Sequence, residues 1–218
     1  MLVSTKRSSD YAVYIIESLR SEDDADGEVL DQILEMSGIT SSYHNADTIE
    51  DFRRFIEEFK SSGYRYLHLS CHADQKGIQI NGEDISNQEL ADLLKGALTG
   101  KRLFMSACKG ANRDLANKVI TLCGSNSLIG SPINLRFDKS VLFWPSFYHI
   151  MNEMDEKIMK RKYLISSLQK CTDLFNVPIN YYSKIKNEPN SMRRLKVRPL
   201  KLPDDVRLTI SKNKSNSN

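Results

Sequence analysis

The sequence predicts an α/β fold with a mostly parallel central sheet. Two observations carry that expectation. Short apolar runs of four to eight residues recur along the chain and are bounded by turn residues, as buried strands of a parallel sheet are. Between them lie longer stretches whose apolar residues have helical spacing, so strand and helix alternate and right-handed crossovers follow. A length of 218 residues suffices for one well-buried domain, and 40% hydrophobic with 27% charged residues is ordinary for a globular protein.

Residues 1–9 are polar and are expected to be loose. Tyr11 to Leu19, YAVYIIESL, is β-branched and aromatic and reads as the first core strand. Ser21 to Glu28, SEDDADGE, is acidic and reads as a solvated loop at the edge where a site would form; a plain surface loop is the competing reading. Val29 to Met36 places Val29, Ile33 and Leu34 on one helical face, with Gly38 as the stop. Ser41 to Asn45 reads as a short second strand. Thr48 to Lys60 is the clearest helix: Thr48 and Asp51 resemble a capping box, and Ile49, Phe52, Phe55, Ile56 and Phe59 share a face.

A strand toward His72 follows Gly63. Asn81-Gly82 between GIQI and EDI signals a hairpin. Ser86 to Leu98 reads as a helix with Leu90, Leu93 and Leu94 inward, and a strand toward Cys108 follows Gly100. Asn112 to Leu122 reads as a helix, Ser127 to Gly130 as a short strand, and Ser140 to Met151 as an apolar helix with Pro145 in its first turns. Lys157 to Cys171 is amphipathic and basic. Residues 1–185 therefore read as one domain. Residues 186–218 read as a basic, partly disordered tail: Asn187 to Ser191 has a linker signature, Arg193, Arg194, Lys196, Arg198 and Lys201 crowd together, and SKNKSNSN ends the sequence.

The net charge of +3 and pI near 8.6 are too weak a bias to argue for a nucleic-acid partner. No stretch approaches the roughly 20 apolar residues of a membrane span. MLVSTKRSSDYAV has no apolar segment after its basic residues, so no secretory signal is expected. Four irregularly spaced cysteines do not form a disulfide framework, and a reducing cytoplasm is the expected setting.

Two runs end in reactive side chains. Tyr66 to Ser70 delivers Cys71-His72, and Arg102 to Ser106 delivers Cys108 and then Gly110. Sites in open α/β sheets lie beyond the carboxyl ends of the strands. If these strands are neighbours, an imidazole and a thiol leave the same edge, as a Cys–His nucleophile pair requires. Small or flexible flanks around Cys108 let the backbone turn sharply and aim amides at an oxyanion, and Lys109 with a following helix N-terminus favours thiolate. The competing readings are an inert buried thiol and a structural histidine. His68 alternates with Leu67 and Leu69 and points to one face of the sheet, as a core histidine would. His44 and His149 have no evident partner. Cys71, His72, Cys108 and Cys123 lack the C-x-x-C or H-x-x-x-H spacing of a metal site, so no metal is expected. No G-x-G-x-x-G follows the first strand, which argues against a dinucleotide.

The two strand ends carry a family resemblance. HLSCHAD, an Asn-Gly hairpin, a helix and then LFMSACKG resemble the caspase-like cysteine peptidases of clan CD, and within them most of all the CHAT family. That family's pattern is h-h-S-x-H-G followed by L-S-A-C-x-x-G. Leu128 to Pro132 resembles its next strand and loop, and Asp138 to Tyr148, DKSVLFWPSFY, resembles its aspartate and Phe-Tyr helix. The match runs from about Tyr11 to Met151, with 36 positions from His72 to Cys108.

The resemblance implies a three-layer αβα sandwich and a cysteine endopeptidase that needs no cofactor. His72 would be the general base and Cys108 the nucleophile, with the amides of Cys108 and Ala73 as the oxyanion hole. Ala73 departs from the family's glycine. Ser106 stands where caspases have glutamine and metacaspases aspartate. For the P1 pocket the resemblance points to Asp138, with Asp74 as the alternative acid and Ser106 beside them, hence to Arg or Lys at P1. A helix N-cap is the plain reading of Asp138. A protein substrate and a regulatory partner or signal are expected, by analogy with small bacterial chains of stress or defence systems. A catalytically silent caspase-like module that binds a partner is the second reading, motivated by Ala73 and the basic tail.

Overall fold

The computed structural model describes residues 11–155 and 157–200; the expectations for residues 1–9, Lys201 and the last eight residues lie outside them. The elements are β1 (Ala12–Ser18), α1 (Asp26–Met36), β2 (Thr40–Asn45), α2 (Ile49–Ser61), β3 (Tyr66–Cys71), β4 (Gly77–Ile80), β5 (Glu83–Ser86), α3 (Asn87–Leu94), β6 (Arg102–Ser106), α4 (Arg113–Thr121), β7 (Ser127–Gly130), α5 (Phe137–Met154), α6 (Arg161–Phe175), β8 (Ile179–Ile185) and β9 (Glu188–Val197). Seven strands form one sheet in the order β2-β1-β3-β6-β7-β8-β9, and β4-β5 is a separate hairpin. The ladders from β2 to β7 are parallel; β8 and β9 are antiparallel additions.

Alternation along each strand divides the core in two. Val13 and Ile15 of β1, Tyr66 of β3 and Phe104 of β6 face α1, α5 and α6, where Leu30, Phe143, Trp144 and Leu164 cover them. Tyr14, Ile16, Leu67, Leu69 and Met105 face α2, α3 and α4, which supply Phe52, Phe59, Leu94 and Leu115. The result is helix, sheet, helix, with both faces of the central parallel strands β1, β3, β6 and β7 dry, while β2 at the edge is partly exposed.

Local signals act where they stand in the sequence. Thr48 Oγ1 accepts the Asp51 N–H at 3.0 Å and starts α2. Ser86 and Glu89 form a reciprocal capping box on α3. Asn81 and Gly82 turn the β4–β5 hairpin with φ of 45° and 87°, the paired positive angles of a two-residue turn. His68 is a core histidine: it packs edge-on to Trp144, Nδ1 lies 3.0 Å from the Tyr148 hydroxyl, and burial pushes its pKa down to about 3.

Three stretches differ from the sequence reading. The helix α5 begins at Phe137, so Pro145 lies mid-helix and not in the first turns. The helix α1 begins at Asp26, inside the acidic stretch read as a loop. The sheet also continues past residue 185. Asn187, with φ of 70°, turns a hairpin between β8 and β9, and the basic segment becomes an edge strand through Val197. Exposed Arg193, Arg194 and Lys196 on that edge discourage pairing with another chain.

Two glycines separate close packing from backbone freedom. A Cβ at Gly130 of β7 would stand 2.8 Å from the Met105 carbonyl oxygen and 3.0 Å from its Cβ, whereas one at Gly100, φ +72°, would meet nothing within 4 Å. Gly130→Ala should cost about 3 kcal/mol because β6 and β7 must part, and Gly100→Ala about 1 kcal/mol of left-handed strain. Urea unfolding of the two variants checks the order; equal losses would contradict it.

Candidate active site

The site lies at the carboxyl ends of β1, β3 and β6. The strand order reverses between β1 and β3, since β2 lies on one side of β1 and β3 on the other, and this opens a crevice beyond the strand ends. Ser70 of β3 pairs with Ser106 of β6. His72 and Cys108 each follow two residues beyond that pair, and both line one cleft of about 250 Å³.

A carboxylate holds the imidazole. His72 Nε2 is 2.8 Å from Asp23 Oδ2, and that oxygen also accepts the Arg20 N–H at 3.0 Å. The bond to His72 is the largest influence holding Asp23 below the usual carboxylate range. An ionised carboxylate only accepts, so it fixes the proton on Nε2 and leaves Nδ1 as the basic nitrogen.

Cys108 sits in a tight turn. Lys109, next in the chain, has φ of 54°, in the left-handed region that costs a non-glycine residue about 1 kcal/mol. Its N–H donates to the Ile133 carbonyl at 3.0 Å, which pins the turn to the segment after β7. The Cys108 sulfur meets that segment as well: the Leu135 N–H donates to Sγ at 3.3 Å and the Leu135 carbonyl accepts at 3.5 Å.

Beneath the cleft lies Asp26, the first residue of α1 and a buried one. Its carboxylate accepts from the hydroxyls of Ser70 (β3), Ser106 (β6) and Ser140 (α5). The helix α1 has no side-chain cap of its own, because Ala25 stands at that position. Glu17 of β1 takes over: Oε1 accepts the Gly27 N–H at 2.7 Å while Oε2 accepts the Tyr43 hydroxyl at 2.8 Å. A Cβ at residue 27 would lie 2.9 Å from Glu17 Oε1, so only glycine lets the helix start this close to the strand. Burial pushes the Glu17 pKa up, against the opposing donors from Gly27 and Tyr43.

Of the residues expected from sequence, His72, Cys108 and Ser106 line this cleft. Ala73 pairs with Ile78 and lines a second cleft beyond His72. Asp74 lines that second cleft too, and its carboxylate accepts the N–H groups of Lys76 and Gly77 at 2.6 and 3.1 Å. Asp138 stands exposed in the first turn of α5, 3.0 Å from Arg136, and is not among the residues lining the Cys108 cleft. Sequence reasoning missed Asp23 and Asp26. Both belong to SEDDADGE, and the only signal for them was that the stretch follows a core strand. Cys71 also lines the Cys108 cleft while packing with the core on the α2, α3 and α4 side, and burial pushes its thiol up to about 12. All four cysteines are free, and among the described residues no group of three or more His, Cys, Asp or Glu side chains is placed to hold a metal.

The raised pKa of Glu17 has a consequence for stability. The folded protein binds this proton more tightly than the unfolded chain, so stability falls as pH rises from the ordinary value of 4.5 toward the folded value. Glu17→Gln should flatten that slope in urea unfolding measured between pH 4 and about 7. Identical slopes in the two proteins would contradict the assignment.

The fold has a solved counterpart. The chain is similar to a secreted C11 cysteine protease from Bacteroides thetaiotaomicron, determined by X-ray diffraction with an irreversible peptide inhibitor, with a TM-score of 0.51 at 10% identity over 79% of this chain and 66% of that one. The chain thus spans just under two thirds of that protease. The likeness is one of fold: a mostly parallel seven-stranded sheet flanked by helices, as in caspase-like proteins. No curated protein matches the sequence. The model of DUF6642, a family of unknown function, matches residues 10–179, which span the three strand ends of the site, and the chain belongs to that family.

Proposed function

We propose that the chain is a cysteine endopeptidase in which His72 and Cys108 form the catalytic dyad. The observation that carries this reading is a histidine held by a carboxylate in the same cleft as a cysteine, above a second, buried carboxylate. Asp23 keeps the proton on Nε2. Nδ1 of His72 takes the proton of Cys108, and the thiolate attacks the peptide carbonyl. The backbone amides of Cys108 and Ala73 receive the oxyanion. His72 returns the proton to the leaving amine and then activates the water that hydrolyses the thioester, releasing the acid and restoring the thiol.

In this proposal the P1 residue is Arg or Lys, and Asp26 reads it. Asp26 lies at the floor of the cleft, held by the neutral hydroxyls of Ser70, Ser106 and Ser140, and a guanidinium or ammonium group would supply the countercharge that those donors do not. Neither Asp138, paired with Arg136, nor Asp74, which lines the second cleft, is among the residues lining the cleft that holds Cys108. A partner or signal that moves the segment after β7 would act on the Cys108 sulfur directly, since Leu135 of that segment contacts it through both its N–H and its carbonyl. A reducing compartment suits the four free cysteines. The finer likeness to CHAT, and with it a place in a bacterial stress or defence system, rests on the two strand-end motifs.

Hydrolysis of a P1 peptide library by the purified chain tests the proposal. Cleavage should follow Arg or Lys. His72→Ala and Cys108→Ala should each lower kcat/KM by about 10³-fold or more. Asp23→Ala should lower kcat by about 10- to 100-fold with little change in KM, as expected of a residue that only orients the base. Asp26→Asn should remove the basic preference. Hydrolysis that survives Cys108→Ala would overturn the mechanism, an acidic P1 profile would overturn the role of Asp26, and inertness in every condition would favour the silent binding module.

A further inference from the structure

The carboxylates of Glu22, Asp23, Asp24 and Asp26 line the Cys108 cleft, and among the described residues no lysine or arginine does. Asp23 is engaged by His72, with Arg20 acting on it from outside the lining. Glu22 and Asp24 are exposed: Glu22 accepts the Ser21 hydroxyl, and Asp24 makes no hydrogen bond or ion pair among the described residues. The cleft is therefore anionic beyond what one basic side chain at Asp26 would offset. We propose that the C-terminal segment of this same chain occupies the cleft, with Arg207 seated over Asp26, and competes there with substrate. The proposal rests on the peptidase reading above and takes its P1 site from it.

The fold brings the chain to the same edge of the sheet. Val197 of β9 pairs with Ile179, the neighbouring Asn180 with Gly130, and Gly130 with Met105, so β9 ends level with the strand end that carries Cys108. The Leu200 N–H then donates to Asp173 at 2.8 Å, near the end of α6. Phe175, two residues on, packs edge-on against Phe143 of α5, and Ser140, one turn earlier in α5, bonds to Asp26. Two helix spacings, roughly 16–20 Å, separate α6 from α1 across α5. The seven residues from Leu200 to Arg207 span about 23 Å when extended, which is enough to cross them.

The sequence supplies the complementary charge. Of the 18 residues after Leu200, Arg207 is the one arginine, and from Val206 onward they carry Arg207, Lys212 and Lys214 with no aspartate or glutamate. Lys201 is too close to Leu200 to reach Asp26, and the basic residues of β9 are held in the sheet. A guanidinium suits a carboxylate held by neutral hydroxyls, because it brings both charge and paired N–H donors. Asp204 and Asp205 oppose the seating, since no lysine or arginine in the lining meets them, so the contact is weak enough for a substrate to displace.

Binding of a tetrapeptide amide with arginine at P1 to the full chain carrying Cys108→Ala tests this without turnover. Adding Arg207→Ser should tighten peptide binding about fivefold, as when a tethered competitor is removed whose effective concentration exceeds its dissociation constant about fourfold. Adding Lys212→Ser instead, which takes one equal charge from the same segment, should change the affinity less than about twofold. The ratio for Arg207→Ser should hold at every protein concentration, since the competitor belongs to the same chain. If the peptide binds and Arg207→Ser leaves its affinity unchanged, the segment does not occupy the cleft and the peptidase reading stands. If the peptide binds to none of these variants, the peptidase reading fails with the proposal. Equal effects of the Arg207 and Lys212 substitutions would replace the seat at Asp26 by diffuse attraction, and a ratio that grows with protein concentration would place the segment in the cleft of a second copy; either result overturns the proposal.

Discussion

Glu17 decides where the first helix begins, and the site follows from that. It is 1% exposed inside the first core strand, yet its carboxylate reaches across to the Gly27 N–H and seats the start of α1 on the strand ends. Asp26 is thereby fixed beneath the cleft, where hydroxyls from two strands and a helix converge on it. Neither carboxylate pairs with a cation among the described residues; neutral N–H and O–H donors hold both. Burying two acids this way costs stability that apolar residues of similar volume would not. A chain under pressure for stability alone would not keep the pair. The exception to ordinary packing rules lies where a site is expected to be.

The sheet and its reactive ends were legible because they depend on short-range patterns. Two apolar runs ending in Cys71-His72 and Cys108 become adjacent parallel strands, and the Asn81-Gly82 turn and the Thr48 cap act through their immediate neighbours. What was not legible depends on partners distant in sequence. SEDDADGE has no helical spacing of apolar residues, and nothing near Asp26 announces a helix start, because its cap is Glu17, a member of the preceding strand. The role of Asp23 likewise exists only through His72, 49 residues away. The β9 strand was hidden by turn residues and charge that also suit a tail; its register with β8 comes from Tyr181 and Tyr182 packing into the two cores.

His72 is the hinge of the functional account. On one side the ring meets Asp23 and the thiol cleft, and on the other it forms the wall of a larger polar cleft. In the proposed mechanism proton transfer takes place at the boundary between these two clefts, on the side where Asp23 holds the ring. The left-handed backbone at Lys109 and the contact of Leu135 with the sulfur constrain the chain beside Cys108, the proposed nucleophile.

The most direct test of the central claim is covalent. Treating the purified chain with a peptidyl-arginyl acyloxymethyl ketone, followed by tandem mass spectrometry, reads which atom attacks and whether a basic P1 group directs it. The account predicts one adduct, on the Cys108 sulfur, that excess arginyl peptide suppresses and a reagent with an acidic P1 group does not form. An adduct on Cys71 or another cysteine, or labelling of Cys108 indifferent to the P1 charge, would contradict it.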